Sequence, residues 1–157
     1  MAQTMGGLKK DQFAIGSWFS IKFDSQLKDM KHVTDVSGLS LELEPIDIPY
    51  QNLAGRHTLE KQRGQAKYGE LTVKRRFDFK DRSMYEWMQK ISTGTLEEYK
   101  SDGTVSMISR DGKTVIAEFA FENAWPKKWS LSDLEAKTAE PMTEEISLVI
   151  ETLKRTK

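Results

Sequence analysis

The chain has 157 residues, with 24 Lys and Arg balanced by 24 Asp and Glu and 38% of its residues hydrophobic. That length fits one domain spanning residues 1–157, burying roughly 70% of the surface that its unfolded chain would expose. Zero net charge excludes the basic excess of a general nucleic-acid or anionic-membrane binder, and zero cysteines exclude disulfides, thiolate metal sites and cysteine nucleophiles.

Met1–Lys10 lacks the apolar centre of a secretion signal. No apolar run approaches the ~20 residues of a membrane helix. The expectation is a protein made in the cytoplasm with no stable membrane anchor.

Period-two alternation then dominates. Phe19, Ile21 and Phe23 share one face of a strand, with Ser20, Lys22 and Asp24 opposite, and Trp18 stands on the polar side. Leu39, Leu41 and Leu43 alternate with Ser40, Glu42 and Glu44, and Leu71 and Val73 alternate with Thr72 and Lys74. Val115, Ala117, Phe119 and Phe121 face away from Glu118 and Glu122, and Ile146, Leu148 and Ile150 alternate with Glu145, Ser147 and Glu151. Strands with one wet face predict an antiparallel sheet. Asp111-Gly112 predicts a type I′ hairpin turn.

Helical period occurs once, where Met84, Trp87, Met88 and Ile91 fall on one stripe that packs on the sheet. Ser83 with Glu86 fits a capping box, with Asp81 as a rival N-cap, and Gly94 fits the position after the helix. Trp125 and Trp129 share strand parity, with Pro126 between them at an edge position.

Two stretches follow neither period. Residues 45–67 are rich in Gln, Arg, Lys and Gly, and are long for a connection in a compact domain. Alternation of Ile46, Ile48 and Tyr50 leaves an extended loop and a hairpin insertion both open. Ser130–Met142 predicts a polar surface crossing.

Catalytic chemistry is thin. His32 and His57 have no metal-ligand spacing, and no nucleophile elbow, phosphate loop or dinucleotide fingerprint occurs; Gly6-Gly7 and Gly55 lack the strand-then-helix setting. The adjacent carboxylates Glu97-Glu98 and Glu144-Glu145 point to opposite faces on a strand and predict solvated surface. Trp125, Lys127, Lys128 and Trp129 offer rings beside cations, but Asp133 and Glu135 balance them. The expectation is a non-enzyme with no cofactor, no metal and no specific nucleic-acid binding.

Val36-Ser37-Gly38-Leu39, Lys67-Tyr68-Gly69-Glu70-Leu71-Thr72-Val73-Lys74-Arg75 and Phe121-Glu122-Asn123-Ala124-Trp125-Pro126-Lys127-Lys128-Trp129 occur in that order. Together they resemble the tail tube, or inner tube, proteins of contractile phage tails and contractile injection systems, over about Phe19 to Leu153. Glu140, Glu145 and Glu151 match the acidic pattern near that family's C-terminus. The resemblance implies a mainly β fold, an antiparallel β-barrel or two-sheet sandwich with one flanking α-helix, shared with secreted ring proteins. It also implies homo-hexameric rings stacked into a hollow conduit, with a surrounding sheath and baseplate, spike and terminator proteins as partners. Such a subunit would be part of a virion tail or injection particle.

Within that frame the 45–67 segment is the candidate stacking element. Arg56, Glu60, Lys61 and Arg63 would make inter-ring contacts, with Leu53 and Leu59 as apolar anchors and Trp18 as a further interface candidate. A tube-initiator or baseplate-adaptor paralogue and a monomeric ligand-binding β-barrel stay open as alternatives.

Overall fold

A computed structural model describes residues 18–27, 30–137 and 139–157. Met1–Lys10, with Gly6-Gly7, lies outside the described residues.

The elements in chain order are β1 (Phe19–Phe23), β2 (Val33–Ser37), β3 (Leu41–Gln51), β4 (His57–Tyr68), β5 (Leu71–Arg76), α1 (Ser83–Thr93), α2 (Leu96–Tyr99), β6 (Ser101–Ile108), β7 (Val115–Leu131), β8 (Thr143–Val149) and β9 (Thr152–Arg155). Seven strands pair in the order β1-β6-β7-β8-β5-β2, with β9 also on β7, and every pairing is antiparallel. Among the described residues, β3 and β4 pair only with each other.

The 17-residue β7 joins two sheets. Its first half lies between β6 and β9, and its second half pairs with β8. The change happens at Asn123, whose φ of 55° kinks the strand. Asparagine tolerates this left-handed backbone better than most residues. Asn123 is pinned there: its N–H donates to Asp102 Oδ1 at 2.8 Å and its Nδ2 donates to Glu151 Oε2 at 2.8 Å. Glu151 also accepts from Lys100 Nζ at 2.9 Å.

The alternating residues build the core. Ile21, Phe23, Leu71, Val73, Val105, Phe121, Ile146 and Leu148 bury together with Met84 and Trp87 of α1. Phe23 stands edge-on to Trp87 and to Phe121, with centroids 5.6 and 5.5 Å apart. Trp87 Nε1 donates to the Tyr99 carbonyl at 2.7 Å, so the indole is buried without an orphaned donor. The expected strands and amphipathic helix are present, and a four-residue α2 follows α1.

Several local expectations are corrected. The Ser83–Glu86 capping box does not form; Asp81 Oδ1 accepts from the Ser83 N–H at 2.9 Å instead. Gly94 does follow the helix, its N–H donating to the Lys90 carbonyl at 2.8 Å, but it is extended (φ −112°), and a side chain there would strike the Tyr99 ring, so space rather than handedness requires glycine. Only Gly112 has positive φ in the β6–β7 turn. Its N–H donates to the Ser109 carbonyl, and Asp111 accepts from Lys113 and Thr114, so the turn is not type I′. A bulge between Pro126 and Lys128 reverses parity: Pro126 and Trp129 sit opposite Leu148 and Ile146, while Trp125 sits opposite Val149. The two tryptophans therefore face opposite sides, and Pro126 is a buried residue beside a bulge rather than an edge guard.

Acid should loosen this framework. Hydrogen bonds from Lys100, then Asn123, hold the Glu151 carboxyl below its usual range. Burial pushes Asp81 up, but hydrogen bonds from Ser83 and the charge of Arg75 outweigh it and hold that carboxyl low. Carboxyls depressed in the folded state stabilise it above their unfolded pKa, about 4, and that contribution is lost as pH falls further. Thermal melts should be flat from pH 7 to 5 and fall below about pH 4. The fall should be shallower in Glu151→Gln; an identical profile would remove Glu151 from the explanation.

Candidate assembly surfaces

Two surfaces carry exposed apolar side chains that the core does not use. The first is the β3–β4 hairpin. Its base is closed by the two motif glycines: Gly38 has φ +91°, and a Cβ there would come within 1.8 Å of the Glu70 carbonyl oxygen. A Cβ on Gly69 would meet Ser40 Oγ at 2.1 Å, and the Gly69 N–H donates to the Ser40 carbonyl at 3.1 Å. Leu39 and Tyr68 anchor this base on the core.

Beyond the base the hairpin leaves the body. The Pro45–Lys67 segment forms most of it, with 11 residues in β3 and 12 in β4. Its register places Leu41, Leu43, Ala66 and Tyr68 on one face near the body, and Ile46, Ile48 and Tyr50 on the other face further out. β4 carries an extra residue at Gly64–Gln65 opposite Glu44. Gly64 has no room for a side chain, since a Cβ would lie 2.4 Å from the Glu44 carbonyl oxygen. Leu41 and Leu43, expected to face the core, are instead more than half exposed.

The tip is ordered by its own polar groups. Asn52 Oδ1 accepts from the N–H groups of Ala54 and Arg56 at 3.0 and 2.9 Å, and Gln51 Nε2 donates to the Gly55 carbonyl. This turn presents Leu53 fully to solvent. Lys61 pairs with Asp47 at 3.7 Å across the strands, and Lys67 pairs with Glu44, whose hydrogen bond raises the lysine pKa. A two-stranded ribbon is marginal in water by itself, and among the described residues its outer edges have no strand partner. Leu53, Arg56, Leu59, Glu60, Lys61 and Arg63 all lie on this hairpin, all exposed. Trp18 does not join them; its carbonyl accepts from the Ile108 N–H beside β1, its ring lies near Gly112, and the residue is 41% exposed.

The second surface was not singled out by sequence. At the far ends of β5, β7 and β8 a cleft of about 340 Å³ is lined by Phe77, Phe79, Tyr85, Trp129 and Leu131, together with Asp78, Asp81, Arg82 and Glu144. Its floor is a buried ion network. Arg75 Nε donates to Glu144 Oε1 at 2.5 Å and Nη1 donates to Asp81 Oδ2 at 2.8 Å, while Trp129 Nε1 donates to Glu144 Oε2 at 3.2 Å. Glu144 is 3% exposed, so the expectation of a solvated carboxylate fails there. Its strand position pairs it across from Arg75, a contact that local spacing does not reveal. Tyr85 stacks edge-on to Trp129 at 5.1 Å, and Phe79 remains 79% exposed.

Among the described residues, no cluster of three or more His, Cys, Asp or Glu is placed to hold a metal ion. No described helix is long and apolar enough to cross a membrane. What both surfaces offer is apolar area with charged margins, the chemistry of protein contact.

No curated protein sequence matches the chain. Among solved structures, it is similar to a chain of the extended-state sheath–tube complex of PVC, an extracellular contractile injection system. That likeness has a TM-score of 0.77 and 18% identity, covering 94% of this chain and 93% of that one. A chain of the anti-feeding prophage tube-terminating cap gives 0.78 and 21%, covering 99% of each. Hcp1 from Flavobacterium johnsoniae gives 0.57 and 19%, covering 88% and 94%. Residues 16–154 match the family described as T4-like virus tail tube protein gp19. The chain therefore belongs to the T4-like tail tube protein family and is a structural tube subunit, not an enzyme.

Proposed function

We propose that copies of this chain close into six-membered rings, and that the rings stack into a hollow conduit driven into a target by sheath contraction. The observation that carries this reading is the projecting β3–β4 hairpin, a ribbon whose outer edges pair with no other described strand and which exposes Ile46, Ile48, Tyr50, Leu53 and Leu59. A monomer would gain nothing from this exposure, whereas stacking covers it. Leu53, Arg56, Leu59, Glu60, Lys61 and Arg63 make the contact to the next ring, and Trp18 supplies a separate one. The structural relatives come from a sheath–tube complex, a terminator, a cap and a baseplate. By extension, sheath, baseplate, spike and terminator proteins are the partners here, in a phage tail or an injection particle.

Negative-stain microscopy and light scattering of the purified chain test the reading. Rings or hollow stacks are expected at high concentration. Deleting Leu53 to Glu60 should leave a folded subunit that forms rings but no stacks; unchanged tubes would overturn the role of the hairpin.

A further inference from the structure

The hairpin and the aromatic cleft lie at opposite ends of one sheet. β2 and β5 are antiparallel, with Ser37 opposite Thr72 and Val33 opposite Arg75. The hairpin starts after Ser37 and returns just before Leu71, so its base sits at the end where β5 begins. The cleft sits where β5 ends at Arg76, β7 ends at Leu131 and β8 begins at Thr143. At ~3.4 Å per residue, the 11 residues of β3 extend roughly 34 Å, about twice the span of the six-residue β5.

We propose that the cleft is the receiving site for the hairpin tip of a second copy of this chain. This deepens the stacking reading above and rests on it. Two surfaces at opposite ends of one subunit form a head-to-tail contact, and repetition of such a contact without closure builds an open stack. The chemistry matches. Leu53 at the tip and Leu59 behind it are exposed apolar anchors, and Phe77, Phe79, Tyr85 and Leu131 are the exposed apolar lining.

The charges match as well. Arg56 and Arg63 have no carboxylate within salt-bridge distance among the described residues. The loop beside the cleft, residues 132–142, carries Asp133, Glu135 and Glu140 against a single Lys137. Within the cleft, Arg75 already engages Glu144 and Asp81, so the floor is preorganised and the loop supplies the complementary charge.

The natural absence of cysteine makes the contact directly testable. Leu53→Cys and Phe79→Cys subunits, mixed and oxidised after assembly, should give a disulfide-linked dimer, while either variant alone should not. Leu53→Ala and Phe79→Ala should each weaken the subunit-to-subunit contact about tenfold, a ~1.4 kcal/mol loss that recurs at every hairpin of a ring, so rings should stack only at far higher concentration. The double variant should be little worse than either single one, because both remove one contact. Both side chains are exposed, so folding is not at risk. Full-length tubes that stack through the hairpin yet show no Leu53–Phe79 link and additive effects would overturn the cleft assignment alone. Subunits that never stack under any condition would overturn the stacking reading and this inference with it.

Discussion

Glu144→Ala should cost about 3–5 kcal/mol, because it strands the Arg75 guanidinium in the interior. Arg75 is 1% exposed and Glu144 is its buried counter-charge, with the Trp129 indole N–H as a second claimant on that carboxylate. Asp81 offers Arg75 a partner only at the rim. At ~2–4 °C per kcal/mol for a chain of this size, melting should fall by roughly 6–20 °C. The double variant Arg75→Met with Glu144→Leu should recover most of the loss, since apolar side chains of similar volume often replace a buried pair at little cost. Arg75 Nη2 is buried without a hydrogen-bond partner, so removing the arginine also removes an unmet donor. The residual deficit should be about 1 kcal/mol from the indole of Trp129. A Glu144→Ala protein within 1 kcal/mol of the parent would show that the carboxylate is not the counter-charge of a buried cation. Failure of the double variant to recover would show that the pair contributes more than its own desolvation.

Gly38→Ala should be nearly as damaging, and in a different place. Its φ of +91° is costly for any side chain, and the new Cβ would sit 1.8 Å from the Glu70 carbonyl oxygen. Backbone on both sides of the hairpin base must move, which should cost about 3 kcal/mol and tilt or release the hairpin. Gly55→Ala is the control. It has φ +74°, but its nearest neighbour would be Gln51 Nε2 at 3.7 Å, so it should cost only about 1–2 kcal/mol. Chemical denaturation separates the two, and tube assembly should fail for Gly38→Ala while surviving in Gly55→Ala. Equal effects would show that backbone handedness, not crowding at the base, governs the position.

The strands and the long helix were legible because alternation and the 3.6-residue stripe report which face is buried, and Leu71, Val73, Ile146, Leu148, Met84 and Trp87 are buried as their patterns require. The same pattern misled at Leu41 and Leu43. Alternation shows that one face is apolar, but not whether the core or solvent meets it, and here the strand has left the body. Parity failed between Trp125 and Trp129 because one extra residue in a bulge reverses every later side chain. The interface candidates on the hairpin were visible as unpatterned, charged and apolar sequence. The cleft was not, because Phe77, Tyr85, Leu131 and Glu144 come from four separate stretches.

By itself, the sequence determined the class of the fold, the location of most strands and the helix, the lack of cysteine chemistry and the family motifs. Those are local properties, set by side-chain period and by backbone positions such as Gly38 and Gly69 that accept no other residue. Tertiary structure alone decided that Arg75 meets Glu144, that β7 serves two sheets, and that the hairpin and the cleft stand at opposite ends. Each depends on strand register between segments far apart in the chain, and register is chosen by the whole core at once rather than by any one stretch.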